Sequence, residues 1–164
     1  MTFSNLEAKH YLYNSNLKAL LDEMANGSTN GKLLGNPTVA IGTSSAAKVK
    51  TSAFDYIKDG VIKTVAGAET AFTATAHDIA DGYEAIYVVS LKLSDDSIVL
   101  TKGTAVETAD PSVAVAPATP TGHLKLGEVK VATDGAIFDA STTLLSAATV
   151  TDTYTTKTDT FSLS

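Results

Sequence analysis

Histidine, aspartate, serine and lysine are the residues here with the chemistry to catalyse or to bind metal, and their spacing decides their use. The histidines are His10, His77 and His123. None has a second histidine at metal-ligand spacing, and HExxH is absent. The densest polar cluster is His77-Asp78 followed by Asp81-Gly82. Imidazole beside carboxylate suits a metal or an acid–base pair. The same residues also make a polar turn before a strand, with Asp81-Gly82 at the bend, and that is the favoured reading. Asp95-Asp96 lacks the DxDxDG context of a calcium loop and reads as a hairpin turn. Ser45-Ala46-Ala47-Lys48 is a literal SxxK, but SDN and KTG are missing, so a serine–lysine catalyst is not expected. GxSxG and GxxxxGK[ST] are also absent, and Ile41-Gly42-Thr43-Ser44 is no phosphate loop. Tyr83, Tyr87 and Tyr154 are the substitutes for the absent tryptophan as glycan-stacking platforms, and each is equally explained as a half-buried strand residue. No catalytic residue, metal or cofactor is expected.

The elements that would carry these residues begin with a helix from residue 4 to about 25. Ser4 and Glu7 form a capping box, Phe3 precedes the cap, and Gly27 is the stop. Leu6, His10, Tyr13, Leu17, Leu20 and Met24 are spaced 4, 3, 4, 3, 4, a heptad seam. Such a seam packs on the chain's own sheet, on a sister chain or on a neighbouring protein. Its separation from the rest by GSTNGKLLGNP (residues 27–37) favours oligomerisation or docking. His10 within the seam weakens packing and helps fix register.

From Thr38 the texture turns to β. Residues 39–41 are a short strand, and residues 54–58 and 61–65 flank Asp59-Gly60, a type I′ hairpin signal. Residues 85–93 and 98–101 flank a second turn at 94–97. Tyr87, Val89, Leu91 and Leu93 form the better core face, opposite Ile86, Val88, Ser90 and Lys92. Residues 109–122 hold three of the four prolines and read as a connection. Residues 124–132 alternate as a strand, and Ile137-Phe138 begins another. The Thr-rich tail, 150–163, reads as an edge or exchanged strand, with Val150, Tyr154 and Phe161 as candidate exchange residues. The expected architecture is a mainly β, antiparallel sandwich or barrel-like body (38–164), preceded by an amphipathic helical arm and flexible linker (1–37).

Composition narrows the function classes. The 164 residues include 24 Ala and 24 Thr, but no Cys, Trp, Arg or Gln. Disulfides, zinc-thiolate sites and cysteine nucleophiles are excluded. Without arginine there is no bidentate fork for phosphate or guanine, and the net charge of -6 opposes a nucleic-acid partner. The start lacks a basic region followed by an apolar run, and no apolar stretch is long enough to span a membrane, so neither a signal peptide nor a membrane partner is expected. The Asn26-Gly27-Ser28 triplet has no meaning without secretion.

Several stretches together carry a resemblance. Val39-Ala40-Ile41-Gly42-Thr43-Ser44-Ser45 and Lys48-Val49-Lys50-Thr51 lead into the Tyr56-Ile57-Lys58-Asp59-Gly60 hairpin. Later, Pro120-Thr121-Gly122 runs into Leu126-Gly127-Glu128-Val129-Lys130-Val131, then Gly135-Ala136-Ile137-Phe138 and Ser141-Thr142-Thr143-Leu144. Over residues 38–156 this order resembles small tailed-bacteriophage virion structural proteins of the head-decoration or head-fibre type. The resemblance implies a β-rich body without catalytic residues, homotrimerisation, and attachment to the major capsid protein on the virion, after synthesis in the host cytoplasm. The expected function is a capsid decoration or cement protein on the outer surface. The alternative is a tail-fibre or adhesin module that binds host glycan.

Overall fold

The turns explain the sheets. Asp59 and Gly60 have φ of 52° and 71°, the left-handed pair that a type I′ turn requires. Around them β4 (Phe54–Lys58) and β5 (Val61–Val65) pair antiparallel, with Ile57 opposite Ile62. The computed structural model describes residues 31–42, 47–110, 113–147 and 149–156. The expected helix, with Leu6, His10, Tyr13, Leu17, Leu20 and Met24, lies outside them, as does Phe161. Among the described residues the chain is all β, in three antiparallel sheets.

The first sheet joins β1 (Lys32–Leu33) to β4 and β5, and the second orders β2 (Val39–Ile41), β3 (Lys48–Thr51) and β6 (Ala68–Ala71). The largest has the order β11 (Val150–Thr156), β10 (His123–Thr133), β7 (Tyr83–Lys92), β8 (Ser97–Lys102), with the short β9 (Val106–Glu107) also on β7. One apolar cluster draws from all three: Leu33 and Tyr56 from the first, Val39 and Val49 from the second, Tyr87, Leu91, Val129 and Val131 from the third. Burying such side chains contributes roughly 1.5–3 kcal/mol each before ordering costs are subtracted.

Four features depart from the sequence reading. The segment expected as a tether already belongs to the body. Leu33 is buried opposite Tyr56, and Gly31 and Leu34 donate backbone hydrogen bonds to Ile57 and Asp55. The body therefore begins by Gly31, not Thr38. The face expected as the better core face of β7 is not alone in being buried, because Val88 and Ser90 are as buried as Tyr87 and Val89. β7 is the central strand, hydrogen-bonded on both sides, and the Pro-rich segment packs beside Gly103, which follows β8 and donates to the Ile86 carbonyl of β7. There Ala114 is buried, and the Val115 carbonyl and Pro117 lie so near Gly103 that a Cβ would not fit. Ile137-Phe138 starts no strand. Phe138 instead exchanges two 2.9 Å backbone hydrogen bonds with Ile79 as an isolated bridge, and its ring fills the core. Lastly, β10 runs on from residue 132 to Thr133, whose hydroxyl donates to the Ala80 carbonyl at 2.7 Å.

The tail is an edge strand, as expected for residues 150–156. Val150 to Thr156 pair with β10 of the same chain, Thr133 opposite Val150 and Gly127 opposite Thr156. The register shifts between Lys125 and Gly127. Gly127 lacks a Cβ where one would collide with the Thr155 carbonyl and sit 2.7 Å from Val39 Cγ2. That close approach seats β2 against the β10–β11 pair.

Candidate functional site

His77-Asp78, the densest polar cluster in the sequence, is a structural junction. His77 Nδ1 accepts from the Thr73 N–H at 2.8 Å, and its ring stands edge-on to Phe72 and Tyr87. The Tyr87 hydroxyl donates to the His77 carbonyl at 2.6 Å. Asp78 accepts from the backbone N–H of Ala140 at 2.8 Å and of Thr75 at 3.2 Å. Its carbonyl accepts from Lys102. Burial lowers the His77 pKa, partly offset by a hydrogen bond with the Leu100 backbone, and the Lys102 charge lowers it further. Burial also raises the Tyr87 phenol far above its ordinary value. The cluster ties residues 73–79 to residues 138–140, and its polar atoms are spent on backbone partners.

Three turns meet in an open groove of about 370 Å³, walled by Lys58, Asp59, Lys92, Ser94 and His123. The basic side chains there are already engaged. Lys58 reaches Asp96 at 3.0 Å, Lys92 reaches Asp95 at 2.6 Å, and His123 Nδ1 lies 3.1 Å from Ser90 Oγ. Hydrogen bonds from Lys92 and Ser97 hold the Asp95 carboxyl well below its ordinary range, and those from Tyr56 and Lys58 do the same for Asp96. Asp95 and Asp96 thus build the hairpin turn, Asp96 taking the left-handed φ of 59°. Among the described residues no group of three or more His, Asp or Glu is placed to hold a metal ion. In the SxxK tetrad, Ser45 lies outside the described residues and Lys48 opens β3.

The tyrosines considered for glycan stacking are turned inward or engaged. Tyr87 is fully buried, Tyr83 donates to Glu107 at 2.9 Å, and Tyr154 is half-buried on the core side of β11. Burial, and then Asp152 beside its hydroxyl, raise the Tyr154 pKa. Of the candidate exchange residues, Val150 is buried and Tyr154 half-buried against their own chain.

What the body does present is apolar side chains on strand edges and loops. Val61 and Ile62, adjacent on β5, are 54% and 56% exposed. Val113 and Val115 on the Pro-rich segment are 73% and 75% exposed, and Ile137 is also out in solvent. The sequence held one signal for β5. Val61-Ile62 puts adjacent apolar residues on opposite faces of β5, whose one strand neighbour among the described residues is β4, and at most one of the two faces can meet a core. No family model matches the chain, and no curated protein or solved structure matches it.

Proposed function

We propose that this chain is a non-enzymatic structural protein of a tailed-phage virion, a decoration or cement protein that assembles as a homotrimer and binds the outer surface of the capsid. The observation that carries this reading is where polar and apolar groups lie. The polar clusters with catalytic residue types hold turns and loops together, as at His77-Asp78 and Asp95-Asp96. Large apolar side chains, Val61, Ile62, Val113, Val115 and Ile137, stand outward on edges and loops. A surface of that kind serves contact between proteins. The resemblance over residues 38–156 supplies the virion context. The lack of arginine and the net charge of -6 suit an outer face rather than a DNA-filled lumen.

The test is the mass of the purified protein by light scattering, followed by co-sedimentation with expanded capsids. A trimer that sediments with capsids is the expected result. A monomer without capsid affinity overturns the reading, and binding on a glycan array without capsid binding reassigns the chain to an adhesin.

A further inference from the structure

β11 is the longest strand at a sheet edge among the described residues, seven residues against six for β8, five for β5 and four for β6. Its one strand neighbour among them is β10. The ladder between the two fixes which backbone groups are left over. The Asp134 N–H donates to the Thr149 carbonyl at 3.1 Å, one step beyond the Thr133–Val150 pair. Hydrogen-bonded and non-hydrogen-bonded pairs alternate along an antiparallel ladder. Thr151, Thr153 and Thr155 therefore turn their N–H and C=O groups to β10, and the Thr155 carbonyl accordingly lies against Gly127. Val150, Asp152, Tyr154 and Thr156 turn theirs to the open edge. We propose that this edge pairs antiparallel with the β11 edge of a second copy of the chain, about a two-fold axis at Thr153.

The full-length register satisfies backbone, face and charge together. It sets Val150 opposite Thr156 and Asp152 opposite Tyr154, so every outward-turned residue meets another and a continuous ladder forms. These residues share the core face of β11: Val150 belongs to the core, and Asp152 and Tyr154 pair with Val131 and Val129. Core face thus meets core face. Asp152 and Tyr154 are only half-buried in the single chain, and a second core face beside them extends their cover. On the other face Thr151 falls opposite Thr155 and Thr153 opposite its own copy, all exposed in the single chain. Thr–Thr pairs are among the cross-strand contacts that stabilise a sheet.

The alternatives are poorer. A slip by one residue sets outward-turned groups against inward-turned ones and makes no ladder. A slip by two in one direction puts Asp152 opposite Asp152, and like charges there are destabilising. The same slip the other way leaves Val150 and Thr151 without partners in β11. The one charge of β11 stands off the strand's centre, so only the full-length register pairs the whole strand and carries that charge onto a tyrosine. An isologous contact joins two copies and cannot close a ring of three. The inference rests on the homotrimer reading only for its place in the assembly, where the contact links chains of neighbouring trimers.

The chain has no cysteine, so single substitutions report the register. Thr153 faces its own copy as a non-hydrogen-bonded pair, with Cα atoms about 4.5 Å apart, within disulfide range. Thr153→Cys, oxidised and run on a denaturing gel without reductant, should give a reducible two-chain band. Thr151→Cys alone should not, because the register separates it from its own copy by roughly 13 Å along the strand. An equimolar mixture of Thr151→Cys and Thr155→Cys should cross-link. In parallel, Thr153→Lys and Thr153→Glu should each weaken the association roughly five-fold by light scattering, and mixing the two should restore it. Circular dichroism checks that each variant keeps its β spectrum, and the cysteines decide the matter if a charge variant fails to fold. Cross-linking that is absent at Thr153, or as strong at Thr151 alone, overturns the edge pairing, and a mass of three chains then leaves the homotrimer reading standing. The expected cross-links in a protein whose mass never exceeds two chains uphold the edge pairing and overturn the trimer. A monomer at every concentration overturns both.

Discussion

Replacing Tyr56 with Phe removes one hydroxyl from a fully buried ring and nothing else. In the folded protein that hydroxyl donates to Asp96 Oδ1 at 2.5 Å, tying the β4–β5 hairpin to the turn between β7 and β8. A hydrogen bond to a charged acceptor is worth about 1.5–3 kcal/mol net. Asp96 retains Lys58 at 3.0 Å, and its side chain is 42% exposed, so water replaces part of what is lost. The expected cost is about 1–2 kcal/mol, which for a chain of this size lowers the melting temperature by roughly 2–8 °C. Urea unfolding followed by circular dichroism measures it, at one protein concentration because assembly also contributes to stability. A second arm uses acid. The Tyr56 hydrogen bond is the largest cause of the lowered Asp96 pKa. As pH falls below 3.8 the unfolded chain therefore takes up the proton first, and stability is lost. In Tyr56→Phe the folded carboxyl returns toward 3.8, so the loss over the same acid range is smaller. A double-mutant cycle with Asp96→Asn should give a coupling near 1 kcal/mol. Strict additivity, or identical acid limbs for wild type and Tyr56→Phe, would refute the assignment.

Three further outcomes follow from the core and its glycine. Because burial holds the His77 pKa below 6.5, the unfolded chain binds a proton first as pH falls below 6.5. Stability should then drop by at most about 1.4 kcal/mol per pH unit, and His77→Gln should flatten urea midpoints compared at pH 7.5, 6.5 and 5.5. Gly127→Ala drives a methyl into the Thr155 carbonyl and Val39 Cγ2 and should cost about 1–3 kcal/mol by urea titration, whereas a neutral result would place β2 elsewhere. Phe138→Ala empties a site whose ring centroid is 5.4 Å from that of Phe72, and calorimetry should record a loss of about 3–5 kcal/mol.

What was legible in the sequence was local. Asp59-Gly60 announced its hairpin because few residues tolerate two successive left-handed φ values. The core set Tyr87, Val89 and Leu91 was visible in alternation. The missed features depend on distant partners. Leu33 is a single buried side chain in a two-residue strand within a Gly- and Asn-rich stretch, so no periodicity marks it. Phe138 looked like the start of a strand because its neighbour Ile137 is also apolar. Its partner Ile79 lies far upstream, and Ile137 itself points to solvent. Alternation ranked the face with Ser90 below the other as core, but His123 and the central position of the strand enclose Ser90 as well. At His77-Asp78 the sequence favoured a polar turn over chemistry, but the partners Thr73, Leu100 and Ala140 that occupy those atoms were not legible in it.

The exposed strand β5 also has a consequence for symmetry. β5 is five residues long with Lys63 at its centre. If two copies paired β5 with β5 over its full length about a two-fold axis, Lys63 would stand directly opposite its own copy. Like charges directly opposite in an antiparallel pair are destabilising. That lysine therefore opposes the isologous β5 contact that would make a simple dimer. A contact between two different edges is heterologous, and it ends either in a closed ring or in an open filament. Exposed strand edges are hazards for uncontrolled pairing, and one charge at the middle of a short edge is a known way to restrict it. On this chain that charge sets β5 against pairing with its own copy.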